Sequence, residues 1–435
     1  MAELRTIEPA GHGWQGTVDI PGDKSISHRS VMFAGLGETP VHIRNFLHAE
    51  DCLSTVGVMC ALGADVSFLN ERELIVTGKG LHGLSESMTV LNAGNSGTTL
   101  RLMMGLLSPQ PFLSVFSGDS SLMHRPMGRV RKPLSRMGAR IFGRNGNNNL
   151  PLAIVPAREK LHGIHYESPV ASAQVKSAIL LAGLYADTPT TVTEPYVSRD
   201  HTEQMLVGFG VHLERTGTSV TVFPVEENVY HAPEEITVPG DISSAAYFLV
   251  AGTIIAGSRL LLKNVGINPT RTGILDVLKE MGAHISVQNE RVSGGERVAD
   301  LAVEATSLHG VSFGAEIMPR LIDEIPIIAV AALFAEGDTV ITGAGELRVK
   351  ETDRLHAIAA AFRKLAPGSV EEREDGLVVH GKSEIHRARV ESCGDHRMAM
   401  SLSILGTAAK GVVLENPDSV NISYPSFFFE MEQLS

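Results

Sequence analysis

A chain of 435 residues is long enough for two or three domains with full cores, and 43% hydrophobic with 20% charged residues is a globular composition, not a disordered one. The formal net charge of −12 excludes a general affinity for nucleic acid or an acidic membrane, so any anionic ligand must be held by a local cluster of positive groups. Cys52, Cys60 and Cys393 are few and odd in number, which points to reduced thiols in place of a disulfide framework. "MAELRTIEPAGHGWQG" has no basic stretch followed by an apolar one, and the apolar run at 245–257 is too short to span a bilayer, so the chain reads as soluble and cytoplasmic.

In chain order, "GDKSISHRSVMFAGLG" (22–37) starts small and polar, continues apolar and ends in Gly, the pattern of a helix entering a core. "DCLSTVGVMCALGADV" (51–66) predicts an amphipathic helix closed by Gly, then a short strand. The first pattern recurs at 94–105, 171–183, 240–252, 323–337 and 394–406, and the second at 126–141, 199–213, 269–285 and 352–370. Recurrence on this scale predicts about six βαβαββ-like units and an α/β fold. "VPGD" at 238–241 echoes "IPGD" at 20–23, which divides them three and three: 21–238 as one domain, 1–20 with 239–435 as the other. If the units surround an axis, six helix N-termini can face one interdomain cleft, each end favouring an anion by about 0.3–1 kcal/mol.

The helix starts are rich in donors. Lys24 and Arg29 sit in the first two turns of their segment, with Ser25 placed to cap; cations there oppose the helix dipole, and an anion between them removes the conflict. A solvated basic helix start is the plainer alternative. In "NAGNSGTTLR" (92–101), Gly94 and Gly97 flank Asn95 and Ser96, allowing close backbone approach, with Asn95 able to cap or donate. Arg125 precedes a proline at a predicted first helical position, "SAQVK" (172–176) offers Ser172, Gln174 and Lys176, and Arg199 opens the next segment. Lys350 and Arg354 are four apart and would be repelling neighbours on one helix, unless Glu351 and Asp353 neutralise them. Asp323 and Glu324 precede an apolar helix, where an Asp commonly serves as N-cap. The last start, "GDHRMAM", supplies Arg397. Eight cations against Asp323 and Glu351 suggest substrates with several negative charges and two carboxylates left to move protons. HExxH, CxxC, the P-loop pattern and a flanked dinucleotide fingerprint are all missing.

"GDKSISHRS", "GNSGTTLRL", "SAQVKSAILLAG", "RDHTE", "NPTR", "RVKETDRL" and "GDHRMAM" together resemble the 5-enolpyruvylshikimate-3-phosphate synthase family over essentially the whole chain, in the branch called class II. The resemblance implies two domains of three βαβαββ units, an inside-out α/β barrel closing over its substrates. It implies transfer of the enolpyruvyl group of phosphoenolpyruvate to the 5-hydroxyl of shikimate 3-phosphate, without metal or organic cofactor, by a monomer. By similarity Ser25, Arg29, Ser172, Gln174 and Arg199 hold shikimate 3-phosphate. Lys24, Asn95, Gly97, Arg125, Gln174, Arg354 and Arg397 hold phosphoenolpyruvate, with Lys350 between the two. Asp323 takes the hydroxyl proton and Glu351, helped by Lys24 or Lys350, serves the methylene carbon. Ser27 and His28 are left to packing and capping.

Two departures stand out. Ala173 replaces a serine of the family's first branch, so that one phosphate contact is either lost or replaced by Lys176 or Arg199, and "VNISYPSFF" (420–428) lacks that branch's lysine. Gly97, whose replacement by Ala excludes the inhibitor glyphosate in some class II members, is retained. The alternatives are UDP-N-acetylglucosamine enolpyruvyl transferase, whose usual loop Cys is missing from "SSLMHRPMG", and a non-catalytic phosphometabolite-binding protein, which would not need Asp323 and Glu351.

Overall fold

The polar-start, apolar-body segments all become helices in the computed structural model, which describes residues 3–434. They are α1 (Lys24–Ala34), α3 (Gly97–Leu107), α5 (Ala173–Gly183), α7 (Ile242–Ile254), α9 (Ile325–Phe334) and α11 (His396–Ala408). Between and after them lie α2 (Glu50–Ala61), α4 (Gly128–Arg136), α6 (His201–Gly208), α8 (Gly273–Glu280), α10 (Arg354–Leu365) and α12 (Phe427–Leu434). The two helix types differ as their composition requires. All of Ile242–Thr253 in α7 and Ile325–Leu333 in α9 is buried, as suits helices apolar on every side. By contrast α8 buries Ile274, Leu275, Val277 and Leu278 and turns its charged residues outward.

The fold is α/β, with five four-stranded mixed sheets and one three-stranded sheet among the described residues. The chain divides into two units: Gly22–Val238 with Ser293–Gly295, and the remainder, running up to Pro21, over Pro239–Val292 and from Glu296 onward. Each unit has its own apolar core and three of the sheets. Strand order explains why the N-terminal segment joins the later residues. Gln15–Asp19, which leads into α1, pairs in parallel with Arg259–Gly266 after α7. Glu235–Thr237, which leads toward α7, pairs in parallel with Val41–Arg44 after α1.

Capping decides where the helices begin. Asp23 Oδ1 accepts from the Ile26 amide at 2.9 Å, so Asp23 caps α1 and Ser25 is already inside the first turn, contrary to its expected capping role. Ser96, not Asn95, caps α3, accepting from the Thr99 amide at 3.1 Å. Asp241 and Asp395 cap α7 and α11. Asp323 is no cap either: it lies in a 3₁₀ turn, Ile322–Glu324, that runs into α9. Pro126 precedes α4 by two residues and does not occupy its first position. Packing is close where α3 meets α5, since a Cβ on Gly105 would stand 2.2 Å from the Ala178 carbonyl oxygen. No helix of the described residues is long and apolar enough to cross a membrane.

Candidate functional site

In the Gly22–Val238 unit the donors lie at the starts of α1, α3 and α5. Lys24 Nζ donates to Asp51 Oδ2 at 2.9 Å, so the cation at the α1 start is balanced from α2. Arg29 is nearly buried and acts as a strut. Its Nε donates to Thr202 Oγ1 (2.7 Å), Nη2 to Ser177 Oγ (2.9 Å) and Nη1 to the Ser25 carbonyl oxygen (3.0 Å). Ser27 Oγ accepts from the Leu47 amide, and His28, fully buried, shares a 2.6 Å hydrogen bond with Thr55 through Nδ1. Burial first, then Lys24 and Arg29, hold His28 well below the usual imidazole range, so it is neutral.

At the α3 start, Arg125 Nη2 donates to Asn95 Oδ1 at 2.7 Å, and Asn95 Nδ2 donates to Asp119 Oδ2 at 2.6 Å. This chain fixes which way the Asn95 amide faces. Arg101 Nη1 donates to Gln174 Oε1 at 2.6 Å, while Gln174 Nε2 donates to Thr98 Oγ1 at 3.0 Å. A Cβ on Gly97 would lie 2.8 Å from Arg101 Nη1 and 3.3 Å from Arg125 Nη1, so glycine leaves space beside two guanidinium groups. Ser172 caps α5, Ala173 is its first residue, and Arg199 lies half-buried just before α6.

Lys176 is placed differently from the expectation. It is buried with Glu194 and Glu203 at 3.0 and 2.8 Å, so it is no spare phosphate cation. Burial alone would lower its pKa; Glu203 and Glu194 outweigh that and raise it.

The other unit gathers charge around Arg354. Its guanidinium is 1% exposed and meets three carboxylates: Asp395 (Nε to Oδ2, 2.7 Å), Glu351 (Nη2 to Oε2, 2.7 Å) and Asp323 (Nη1 to Oδ1, 3.3 Å). Arg397 Nε lies 3.7 Å and Lys350 Nζ 4.0 Å from Asp323 Oδ1. Asp323 and Glu351 thus share one guanidinium, and Asp323 has three cations around it. Lys350 closes a 3₁₀ turn, Gly345–Val349, whereas Arg354 begins α10. They are therefore not helical neighbours as the spacing suggested, and Asp323 lies within reach of both. Burial opposes the Arg354 charge, but Asp395 and then Glu351 outweigh it and raise its pKa. Arg397 is likewise raised well above its ordinary value, with burial overcome chiefly by Asp323. Behind them, Ser243 Oγ donates to Glu324 Oε1, and Arg271 Nη2 donates to Asp241 Oδ1 (2.9 Å) and Ser243 Oγ (2.8 Å).

The expectation of eight cations against two carboxylates fails for a simple reason. Asp51, Glu194, Glu203 and Asp395 are buried against those cations as caps or ion-pair partners. Asp241 and Asp395 could have been sought as partners from the "GD" before each helix; nothing local marks Glu194 or Arg101.

A family model described as EPSP synthase (3-phosphoshikimate 1-carboxyvinyltransferase) matches residues 10–431. A 3-phosphoshikimate 1-carboxyvinyltransferase of Bacillus cereus (strain ATCC 10987 / NRS 248) is 50% identical over 432 residues, 99% of each chain. One of Bacillus anthracis (strain A0248) is also 50% identical, with the same coverage. A solved EPSP synthase of Acinetobacter baumannii is similar with a TM-score of 0.86 and 40% identity, over 100% of this chain and 98% of that one. The enolpyruvyl transferase NikO of Streptomyces tendae, at 18% identity and a TM-score of 0.80 over 100% and 98% of the two chains, shares the fold. The matched length, the identity and the shared fold together place this chain in the EPSP synthase (3-phosphoshikimate 1-carboxyvinyltransferase) family.

Proposed function

We propose that this enzyme transfers the enolpyruvyl group of phosphoenolpyruvate to the 5-hydroxyl of shikimate 3-phosphate and releases inorganic phosphate. A C–O bond forms between that hydroxyl and C2 of phosphoenolpyruvate while the methylene carbon gains a proton, giving a tetrahedral ketal phosphate. Loss of a proton from the new methyl group and cleavage of the C–O bond to phosphate restore the enol ether. Asp323 accepts the hydroxyl proton, and Glu351, helped by Lys24 or Lys350, gives and removes the proton at carbon. Ser25, Arg29, Ser172, Ala173, Gln174 and Arg199 bind shikimate 3-phosphate. Lys24, Asn95, Gly97, Arg125, Gln174, Arg354 and Arg397 bind phosphoenolpyruvate, with Lys350 serving both.

The observation that carries this reading is the pairing of Asp323 and Glu351 on one buried arginine, with Lys350 and Arg397 beside Asp323. Fixed cations favour the charge that builds on the ketal phosphate, and need no reorganisation as it forms. Two carboxylates held by one guanidinium are fixed in orientation for proton transfer. We take the enzyme to work as a cytoplasmic monomer, with glyphosate as a candidate inhibitor.

The test is phosphate release from phosphoenolpyruvate, with shikimate 3-phosphate and separately with UDP-N-acetylglucosamine as acceptor. Release with the first alone is expected; release with the second alone would overturn the assignment. D323A and E351A are expected to fold and to lose kcat by about 10²–10⁴-fold, the usual contribution of a positioned acid or base. Rates like the parent's in both would refute the proton-transfer roles.

A further inference from the structure

Beneath the start of α5 lies an ionic cluster that the reaction as written leaves unused. Lys176, Glu194 and Glu203 have side chains 2%, 2% and 1% exposed. Lys176 Nζ reaches Glu194 Oε2 (3.0 Å) and Glu203 Oε1 (2.8 Å), and donates to the Ser198 carbonyl oxygen (3.3 Å). Glu194 is the hub. Its Oε1 accepts from the Ser172 amide at 2.8 Å, and its Oε2 accepts from the Ser198 hydroxyl at 2.7 Å and the Ser198 amide at 3.4 Å. One carboxylate therefore joins the cap of α5 to the residue beside Arg199.

Stability does not account for three buried charges, because apolar residues of similar volume commonly replace such groups at no loss. What a carboxylate offers that an apolar side chain lacks is direction: two oxygens that fix where their donors stand. The donors here belong to the two segments that carry Ser172 and Arg199. The bond from Ser172 also settles how that residue can meet an anion. Its amide is taken by Glu194 and its hydroxyl oxygen accepts from the Val175 amide at 3.5 Å, leaving the hydroxyl proton to donate.

We infer that Glu194, held in place by Lys176, which Glu203 anchors in turn, is a positioning residue for the phosphate of shikimate 3-phosphate, setting the separation of Ser172 and Arg199. The inference rests on the reading that those two residues hold that phosphate. Glu194 touches no substrate; it acts through the two residues it tethers.

The experiment compares E194Q, E194A and S198A with the parent, using calorimetric binding of shikimate 3-phosphate alone and steady-state kinetics for both substrates, with S172A and R199A alongside. E194Q and E194A are expected to weaken shikimate 3-phosphate binding and raise its KM by about tenfold, with kcat and the KM for phosphoenolpyruvate within about twofold of the parent. S198A, which removes one arm and leaves the ion cluster whole, is expected to shift the same constants the same way by less. A merely structural role would lower thermal stability and leave these constants unmoved. Binding within about twofold of the parent in E194Q, or in S198A should E194Q not fold, overturns the inference. If S172A and R199A weaken binding while E194Q does not, the positioning role alone fails. If S172A and R199A leave binding unchanged, the phosphate-site reading itself falls.

Discussion

Replacing Asp395 by alanine isolates the most heavily used carboxylate of the Arg354 group. Asp395 is fully buried, accepts from the Arg397 amide at 2.8 Å as the cap of α11, and receives Arg354 Nε at 2.7 Å. Losing a cap costs about 1 kcal/mol. Removing one partner of a buried ion pair costs about 3–5 kcal/mol, and the low end applies because Arg354 keeps Glu351 and Asp323. D395A should therefore lose about 4 kcal/mol. D353A is the control: Asp353 caps α10 through the His356 amide but is partly exposed, and its second partner, Arg348, is a surface ion pair. That loss should be about 1–2 kcal/mol. The assay is equilibrium urea denaturation followed by fluorescence of Trp14, the chain's one tryptophan, which is fully buried in the core of the same unit. If D395A and D353A agree to within about 0.5 kcal/mol, the argument that Asp395 anchors a buried guanidinium is wrong.

His28 makes stability depend on pH with a defined sign. Its folded pKa is depressed, so below about pH 6.5 the unfolded chain takes up a proton that the native state refuses, and stability falls as the pH drops. H28Q should reduce that slope by up to about 1.4 kcal/mol per pH unit between pH 6.5 and 5, measured by calorimetric unfolding; an unchanged slope would refute the assignment. Gly105→Ala places a methyl group 2.2 Å from the Ala178 carbonyl oxygen, a contact that only separation of α3 and α5 relieves. It should cost about 1–3 kcal/mol and raise the KM values through the displaced Gln174, whereas a parental melting temperature would show that the interface yields freely.

Most of the helical framework was legible in the sequence because its causes are local. A run such as "IPIIAVAALFA" can only be a buried segment, and Gly at the end of an amphipathic repeat stops a helix wherever it occurs. The cap residues were less legible: Ser25 and Asn95 have the right chemistry for a cap, but Asp23 and Ser96 hold the right backbone position. Both choices were open until φ and ψ were known.

The residue types of the site were visible too, since cations and carboxylates crowd helix starts where folding alone does not require them. Which polar group each charge meets was not visible. Arg354 meets Asp395 across 41 residues, Arg101 meets Gln174 across 73, and Arg29 meets Thr202 across 173. Nothing within one helical repeat encodes such partners, because they are chosen by how sheets and helices from separate repeats stack. For this reason Lys176 looked like a substrate cation in the sequence and is an internal ion-pair partner in the fold. Local pattern determined where each helix runs and which chemistry its start carries. Only packing determined which of those charges neutralise one another, since a buried ion pair forms only where tertiary structure brings both partners out of water together.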